Sequence, residues 1–295
     1  MPKKDKNKEI QYALYRKYLE NPRVRTRDLF RIISALRNWK IIHRSAQTIV
    51  DNSFTDRILV GSYLYCNPGI RVTLYRREER TQAEKKMNEN STIVGIPLLG
   101  FYSCVVFSRD SRNNLRYAEL TSPSFPAKVN LEHPLTEGER RSLARIDTPE
   151  KLRKDSIPYW DDLDWKVYYA MKNPRRTFFK AAQDLQIPWK MVRERFRRII
   201  KDCKIFMGFF PLGYGGYGQI LVTFKTGHET WMRDWLCRLD RSSYLFAVDD
   251  TLIVYLFTTH VNMACLKLCE MEQIGIIRDF RVGFPVDVEG SPFVI

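Results

Sequence analysis

The sequence predicts an α+β fold of two tandem units, each a three-helix module followed by a small sheet domain. Three observations predict it. The chain has 295 residues, a length that suits more than one domain. Short motifs of the first half recur in the same order in the second half. In each half, segments with helical periodicity are followed by segments that alternate like strands.

The internal repeat rests on five ordered matches. Asn21, Pro22 and Arg23 recur as Asn173, Pro174 and Arg175. The other four pairs are Trp39-Lys40 with Trp189-Lys190, 57–61 with 204–208, 91–108 with 242–259 without a gap, and 125–129 with 284–288. Any single match is weak, but five in one order indicate a duplication.

The second half shows the plan most clearly. Its periodicity predicts helices over 161–171, 177–185 and 189–201, the last two joined by a short turn, which is the helix-turn-helix layout. The residues after these helices predict a βαββαβ order typical of a ferredoxin-like sandwich. After a β-rich run over 203–211, its segments are strand 219–225, helix 229–239, two strands within 244–259 around Asp249-Asp250, helix 262–272 and strand 276–282.

The first half follows with differences. Its predicted helices are 8–20, 26–34 and 38–51, then a polar helix over 77–90, and its second sandwich helix is truncated to the stretch 110–120. We therefore predict five segments: winged helix-turn-helix 1 over 1–56, a degenerate ferredoxin-like domain 1 over 57–130, a linker over 131–158, winged helix-turn-helix 2 over 159–203 and ferredoxin-like domain 2 over 204–295. The linker is expected to carry a short helix from Thr148.

The charge indicates a polyanionic partner. Forty-nine Lys and Arg against 34 Asp and Glu leave a net charge of +15, and each contact to a phosphate releases a counterion. The sequence has neither an apolar run of membrane-spanning length nor a secretory signal, so we expect a cytoplasmic protein without a membrane partner. Its six cysteines include no CxxC pair, so neither a metal site nor a cofactor is expected.

The third helix of the second half is the strongest candidate for reading DNA. One stripe is apolar and includes Trp189, Val192 and Phe196. The opposite side is basic, and arginine reads guanine or clamps phosphate. The predicted DNA-binding residues of this half are Lys190, Arg193, Arg197 and Lys201, with Glu194, Arg195 and Arg198 beside them and Arg175, Arg176 and Thr177 at the start of the preceding helix.

The equivalent helix of the first half is less basic. Its apolar stripe holds Trp39, Ile42, Ala46 and Val50, and its polar face differs from that of the second half. The predicted DNA-binding residues of this half are Lys40, His43, Arg44 and Gln47, with Arg25 and Arg37 as phosphate contacts. We expect the two helices to read different sequences or to bind with unequal strength.

These features resemble the Lrp/AsnC family of transcription regulators. The stretch 163–167 (LDWKV) resembles the family's opening helix, and 211–214 (PLGY) resembles its hinge before the sandwich. The resemblance implies a DNA-binding half and a ferredoxin-like half for dimerisation. We therefore expect the tandem chain to act as an internal pseudo-dimer or a higher oligomer and to self-associate through its sheets. The family's Gly-Asp turn is absent at Asp249-Asp250, so the resemblance leaves a small-molecule effector open.

Two other functions stay open beside the regulator. Siroheme decarboxylases share this architecture and place His and Arg around a porphyrin carboxylate, but 91–108 and 242–259 contain neither residue. The GxGxxG match at 213–218 is followed by a strand instead of a helix, so it does not indicate a dinucleotide site. We therefore expect a sequence-specific DNA-binding regulator and not an enzyme, with a siroheme-decarboxylase-like enzyme and a non-specific architectural nucleic-acid-binding protein as alternatives.

Overall fold

The structure is a computed structural model, and it has a mixed α+β fold with a large antiparallel sheet. It describes residues 3–37, 43–143, 145–146 and 148–286, except for the side chains of 3–6, 37 and 43–45. Within these ranges, no helix is both long enough and apolar enough to cross a membrane.

The helices and strands follow the predicted order, except that the stretch expected as a truncated second sandwich helix forms the strand β5. The elements of the first half are α1 (Lys3–Glu20), α2 (Thr26–Arg37), α3 (His43–Thr55), β1 (Leu59–Tyr65), β2 (Ile70–Arg76), α4 (Arg80–Met87), β3 (Thr92–Gly100), β4 (Tyr102–Arg109), β5 (Leu115–Leu120) and α5 (Glu137–Leu143). Those of the second half are α6 (Asp162–Ala170), α7 (Phe178–Leu185), α8 (Trp189–Ile199), β6 (Lys204–Phe209), β7 (Gly218–Lys225), α9 (Glu229–Leu236), β8 (Tyr244–Val248), β9 (Thr251–Thr258), α10 (Val261–Gln273) and β10 (Arg278–Pro285).

The chain divides into two compact units, and each unit contains parts of both halves. Unit 1 comprises 1–66 and 158–215, and unit 2 comprises 67–157 and 216–295. Unit 1 therefore holds both three-helix modules, and unit 2 holds both sheet segments.

Local sequence signals explain the second three-helix module of unit 1. Asp161 caps α6 by accepting a hydrogen bond from the Asp164 backbone N–H at 2.7 Å. Thr177 caps α7 in the same way through the Lys180 N–H at 3.2 Å. Gln186, at φ 52°, turns the chain from α7 into α8. Val192, Phe196 and other buried residues of the three helices form one apolar core.

A two-stranded ribbon joins the two halves of unit 1. The repeated segments β1 and β6 pair with each other in antiparallel fashion, with Val60 opposite Gly208. Gly213 follows this ribbon at φ +77°, where a side chain would also crowd the Asp56 carbonyl oxygen. This accounts for a glycine at that position in the stretch read as a hinge.

The repeated Asn-Pro-Arg motif forms reciprocal contacts inside unit 1. The Arg23 guanidinium donates to the carbonyl oxygens of Pro174 and Arg176 (2.9 Å to the latter) and lies 4.2 Å from the Phe178 ring centroid. In return, the Arg175 guanidinium lies 5.2 Å from the Tyr18 ring and 5.0 Å from the Phe54 ring. Each half thus inserts an arginine against an aromatic pair of the other half. Tyr18–Phe54 and Phe178–Phe196 are both edge-to-face pairs.

Unit 2 is built on one sheet of eight strands in the order β2-β4-β3-β10-β7-β9-β8-β5. The second half supplies β10-β7-β9-β8 as a contiguous antiparallel block, with α9 and α10 packed against it. Two ladders connect this block to the first half, β3 with β10 and β5 with β8. The Phe107 and Phe246 rings, one from each half, meet at 5.0 Å in the interior.

Asn114 links the two edge strands of that sheet. Its side-chain amide accepts from the Val72 N–H at 2.8 Å and donates to the Val72 carbonyl at 3.1 Å, as a neighbouring backbone would. Its own backbone N–H donates to the Ile70 carbonyl at 3.2 Å. Asn114, the residue before β5, therefore hydrogen-bonds to the first part of β2 and covers that part of an edge that otherwise invites aggregation.

The segment 131–158 differs from the predicted linker. Leu131, Leu135, Leu143 and Leu152 are buried in the core that covers α9 and α10. Charged groups on the segment pair with buried cations of the second half, such as Lys267 with Glu139 at 2.8 Å. The helix in this segment is α5, earlier than the helix expected at Thr148. The four leucines are widely spaced among charged and polar residues, so the sequence suggested a solvent-exposed linker.

Candidate nucleic-acid interface

The buried side of α8 is narrower than its periodicity predicts. Val192, Phe196 and Ile199 are buried against α6 and α7. Trp189, which the sequence placed on the same stripe, is 42% exposed, and the Arg193 guanidinium lies 5.2 Å from its ring centroid. Trp189 is the first residue of α8, so its side chain lies beyond the contact with the other helices. The tryptophan thus belongs to the exposed surface, together with Met191, which is 40% exposed.

Two of the predicted DNA-binding arginines on α8 are engaged in ion pairs. Arg195 contacts the Asp161 carboxylate at 2.7 Å and the Asp164 carboxylate at 2.8 Å. Arg198 contacts Asp164 at 2.6 Å, and the Asp164 side chain is almost fully buried. Hydrogen bonds from Arg195 and from the Asp164 backbone hold the pKa of Asp161 below its usual range. These pairs tie α8 to the start of α6, so both arginines have a structural partner before any ligand binds.

The remaining cations of α8 form the exposed basic surface. Lys190, Arg193, Arg197 and Lys201 recur at a spacing that keeps them on one side of the helix and its first following turn. Among the described residues, none of the four forms an ion pair. The Arg193 guanidinium stacks over the Trp189 ring, and its Nε is buried without a hydrogen-bond partner. Glu194 is exposed and lies on the same helix.

The predicted residues at the start of α7 already have roles in the fold. Arg175 lies against Tyr18 and Phe54, and the Thr177 hydroxyl caps α7. Arg176 donates to the Ala170 carbonyl at 3.0 Å and pairs with Asp184. The Thr177 oxygen accepts the Lys180 N–H, so only its proton is left to donate to a phosphate.

Only two of the predicted DNA-binding residues of the first half, Gln47 and Arg25, have described side chains. Gln47 donates to the Asp51 carboxylate at 2.7 Å along α3, so its amide is committed within the helix. Arg25 is exposed just before α2. The other predicted contacts of this half lie outside the described residues or side chains; they are Lys40, His43, Arg44 and Arg37.

Unit 2 contains a basic pocket that the sequence pattern did not indicate. Its volume is about 330 Å³, and its lining includes Arg76, Phe101, Lys225 and Arg281. Arg76 ends β2 and Arg281 lies in β10, both outside the two segments in which porphyrin-contacting arginines were expected. The sequence shows the two arginines in β-strand segments, but it does not predict that they lie close together. The pairing of β3 with β10 brings Arg76 and Arg281 to one place.

The comparisons with known proteins are limited to architecture. No protein-family model and no curated protein matches the chain. Two solved structures are similar: the siroheme decarboxylase NirDL, and the same enzyme in co-complex with an iron-uroporphyrin III analogue. Each has a TM-score of 0.45 and 8% sequence identity, covering 94% of this chain and 91% of the other.

This finding corrects one expectation. The sequence predicted a protein that is not an enzyme and kept a siroheme-decarboxylase-like enzyme only as an alternative; both similar structures are of an enzyme, which contradicts that expectation. At 8% identity the similarity concerns the fold and transfers neither a residue role nor a substrate. Within the described residues, no cluster of His, Cys, Asp and Glu is arranged to hold a metal ion.

Proposed function

We propose that unit 1 binds duplex DNA, with α8 as its main reading helix. One observation carries the proposal: α8 presents three cations on one side and a fourth follows its end, all without ion pairs among the described residues, while two other arginines fix the helix. Lys190, Arg193 and Arg197 lie on this side, and Lys201 follows it. Arginine and lysine in this position suit guanine edges and phosphates.

The basic residues of α8 fall into two groups, one that holds the helix in place and one that is available to a ligand, and this supports the proposed function. Arg195 and Arg198 hold the helix to Asp161 and Asp164, so the helix is rigid before it meets a ligand. A pre-ordered helix loses less entropy on binding than one that orders on contact. The exposed Trp189 and Met191 extend this surface with apolar area suited to the methyl group of thymine.

At the level of fold, we propose two winged helix-turn-helix modules and two ferredoxin-like sandwiches of Lrp/AsnC type, forming an internal pseudo-dimer. The order β10-β7-β9-β8 supports a ferredoxin-like second half. The ladder between β1 and β6 and the reciprocal arginines support a pseudo-twofold arrangement in unit 1. Self-association of whole chains through the sheets stays a prediction.

The test is selection of the full chain against a random duplex library at about 0.15 M salt, where surface charge is largely screened. The variants are Lys190→Gln, Arg193→Gln and Arg197→Gln. Arg80→Gln is the matched control, because it makes the same charge change at an exposed residue of unit 2. For each phosphate that a variant no longer neutralises, the slope of log affinity against log salt should fall by about one.

The outcomes separate the candidate functions. An enriched sequence whose discrimination is lost in Arg193→Gln or Arg197→Gln supports a regulator that reads bases. Tight, salt-sensitive binding without enrichment supports an architectural protein. If the wild-type chain binds no duplex, or if the three variants bind as the Arg80→Gln control does, the proposal fails.

The second candidate is an enzyme of the siroheme decarboxylase type on the same architecture. The solved structures that the chain resembles agree with this candidate better than with a regulator. DNA binding by unit 1 does not exclude catalysis. The discriminating measurement is the visible spectrum of the purified chain titrated with siroheme: a shifted absorption band with release of carbon dioxide supports the enzyme, and an unchanged spectrum counts against it.

A further inference from the structure

We propose that the basic pocket of unit 2, formed by Arg76, Phe101 and Arg281, binds a small dicarboxylate. The proposal does not depend on DNA binding, because every residue of the pocket lies in unit 2. It rests on two guanidiniums without carboxylate partners in the described chain, both directed over one exposed ring.

The geometry arranges the two arginines around a common platform. The Arg281 guanidinium lies 4.9 Å from the Phe101 ring centroid, and the Arg76 guanidinium lies 5.6 Å from it. The Phe101 side chain remains 43% exposed. Arg281 donates one hydrogen bond to the Phe280 carbonyl at 2.8 Å, which leaves its other N–H groups for a ligand. Arginine stacked on a ring keeps its planar fork available for a carboxylate.

The charges of the lining set the charge of the ligand. Lys225 is compensated by Asp250 at 2.9 Å and by Asp279 at 3.8 Å. In the described part of the chain, Arg76 and Arg281 have no such ion pair. Two uncompensated positive charges suit two negative ones, and a guanidinium binds a carboxylate through two parallel hydrogen bonds.

The lining favours carboxylate over phosphate. The pocket is formed by strands and the β3–β4 turn, with side-chain forks, the ring of Tyr102 and the hydroxyl of Thr251. A phosphate site typically adds the backbone N–H groups of a helix start or a glycine-rich loop. A volume of about 330 Å³ lies at the small end of ligand pockets and therefore suits a compact metabolite.

The pocket is positioned by close packing of the β3–β4 turn against β10. Gly100 has φ +144°, and a side chain there would overlap the Val282 carbonyl oxygen. Gly100 pairs with Gly283 in the ladder, and the Phe101 N–H donates to the same Val282 carbonyl at 3.4 Å. This packing places Phe101 beside Arg281, one residue before Val282 in β10. The platform is therefore set by the backbone of two strands.

The experiment is calorimetric titration of the full chain with succinate, glutarate and adipate. Butyrate serves as the monocarboxylate comparison, and inorganic phosphate as a second anion. The variants are Arg76→Gln and Arg281→Gln, with Arg278→Gln as the matched control because it is an exposed arginine of the same strand, β10. Phe101→Leu tests the platform at an exposed position where loss of the fold is not expected. Arg281→Lys keeps the charge if Arg281→Gln fails to fold.

We expect at least one dicarboxylate to bind tenfold or more tightly than butyrate. Arg76→Gln and Arg281→Gln should each weaken that binding by tenfold or more, and Phe101→Leu by severalfold, while Arg278→Gln stays within twofold. The proposal is overturned if no dicarboxylate binds at millimolar concentration. It is also overturned if phosphate binds and dicarboxylates do not, or if both arginine variants bind as the control does.

Discussion

Replacing Arg23 with alanine is expected to destabilise unit 1 by about 2 to 3 kcal/mol. The Arg23 guanidinium donates to two carbonyl oxygens, those of Pro174 and Arg176, and stacks on Phe178 at 4.2 Å. A hydrogen bond from a charged group is worth about 1.5 to 3 kcal/mol, and a cation–π contact about 0.5 to 2 kcal/mol. Because Arg23 is partly exposed and water can replace some of these contacts, we take less than their sum. Burial lowers the pKa of Arg23, but arginine remains charged at neutral pH.

Amide hydrogen exchange of α7 and α8 is the suitable assay, because the two units can unfold separately and a single unfolding curve would mix them. The expected destabilisation corresponds to about a 30- to 150-fold fall in protection of amides that exchange through opening of the module. The reciprocal residue provides a graded comparison. Arg175 is exposed and makes ring contacts at 5.0 and 5.2 Å, so Arg175→Ala should cost about 0.5 to 1 kcal/mol.

Arg25→Ala is the control, since Arg25 is exposed and only two residues away from Arg23. Surface substitutions of this kind stay within about 0.5 kcal/mol. Arg23→Met separates the contributions, because it keeps apolar packing against Phe178 and removes both hydrogen bonds. If Arg23→Ala changes the protection of α7 by less than about twofold, the reciprocal contacts do not hold the two modules together and the reasoning is refuted.

Three further predictions follow from ionisable groups. Hydrogen bonding keeps the pKa of Asp161 low in the folded chain, so its contribution to stability is present above the unfolded value of about 3.9 and is lost as the pH falls through the lower folded value. Amide hydrogen exchange of α6, compared at equal pH, should show Asp161→Asn less protected than wild type at pH 7, with the difference shrinking as the pH falls below about 3.9. Lys267 is buried and paired with Glu139 at 2.8 Å, so Lys267→Met should lower the stability of unit 2 by about 3 kcal/mol. Amide hydrogen exchange of α10 measures this loss, and unchanged protection would contradict the pairing. Burial raises the pKa of Cys104 to about 11, so at pH 8 mass spectrometry should find it alkylated far more slowly than Cys265 until urea is added; equal rates would show that the thiol is accessible.

The sequence predicted the second half well because its signals are local. Thr177 caps α7, α8 has a clear apolar stripe, and β8 and β9 are apolar runs on either side of the turn at Asp249-Asp250. Trp189 shows the limit of such signals, because periodicity assigns a residue to a face but not to a buried depth. At the first turn of α8 the other helices no longer reach that face, so the tryptophan is exposed.

Pairings distant in the sequence explain what could not be predicted. Glu139 and Lys267 are hydrogen-bonded although they lie 128 positions apart. The residues next to each of them in the sequence do not predict this pair. The polar composition of 131–158 therefore suggested a linker, although Leu143 and Leu152 are buried. The basic pocket has the same origin, since Arg76 and Arg281 come from different halves and meet only through the β3–β10 ladder.

Both units of the chain are built by exchange between the halves. In unit 1 each half contributes an arginine to an aromatic pair of the other, and β1 has its ladder with β6. In unit 2, β5 leaves the strands of its own half and pairs with β8. A half expressed alone would therefore lack the partner of β1 and of β5, and would expose strand edges that favour association.

This mutual dependence gives the duplication a physical meaning. In a symmetric dimer, one substitution changes both copies of an interface, so the two sides cannot specialise. Within a single chain they can, and the third helices of unit 1 already differ: α8 is strongly basic, whereas Gln47 of α3 is bonded to Asp51 in its own helix. In unit 2 the pocket uses one arginine from each half, a site that needs two different contributions at one place. The covalent link thus allows an asymmetric surface and an asymmetric pocket on a frame that both halves are needed to complete.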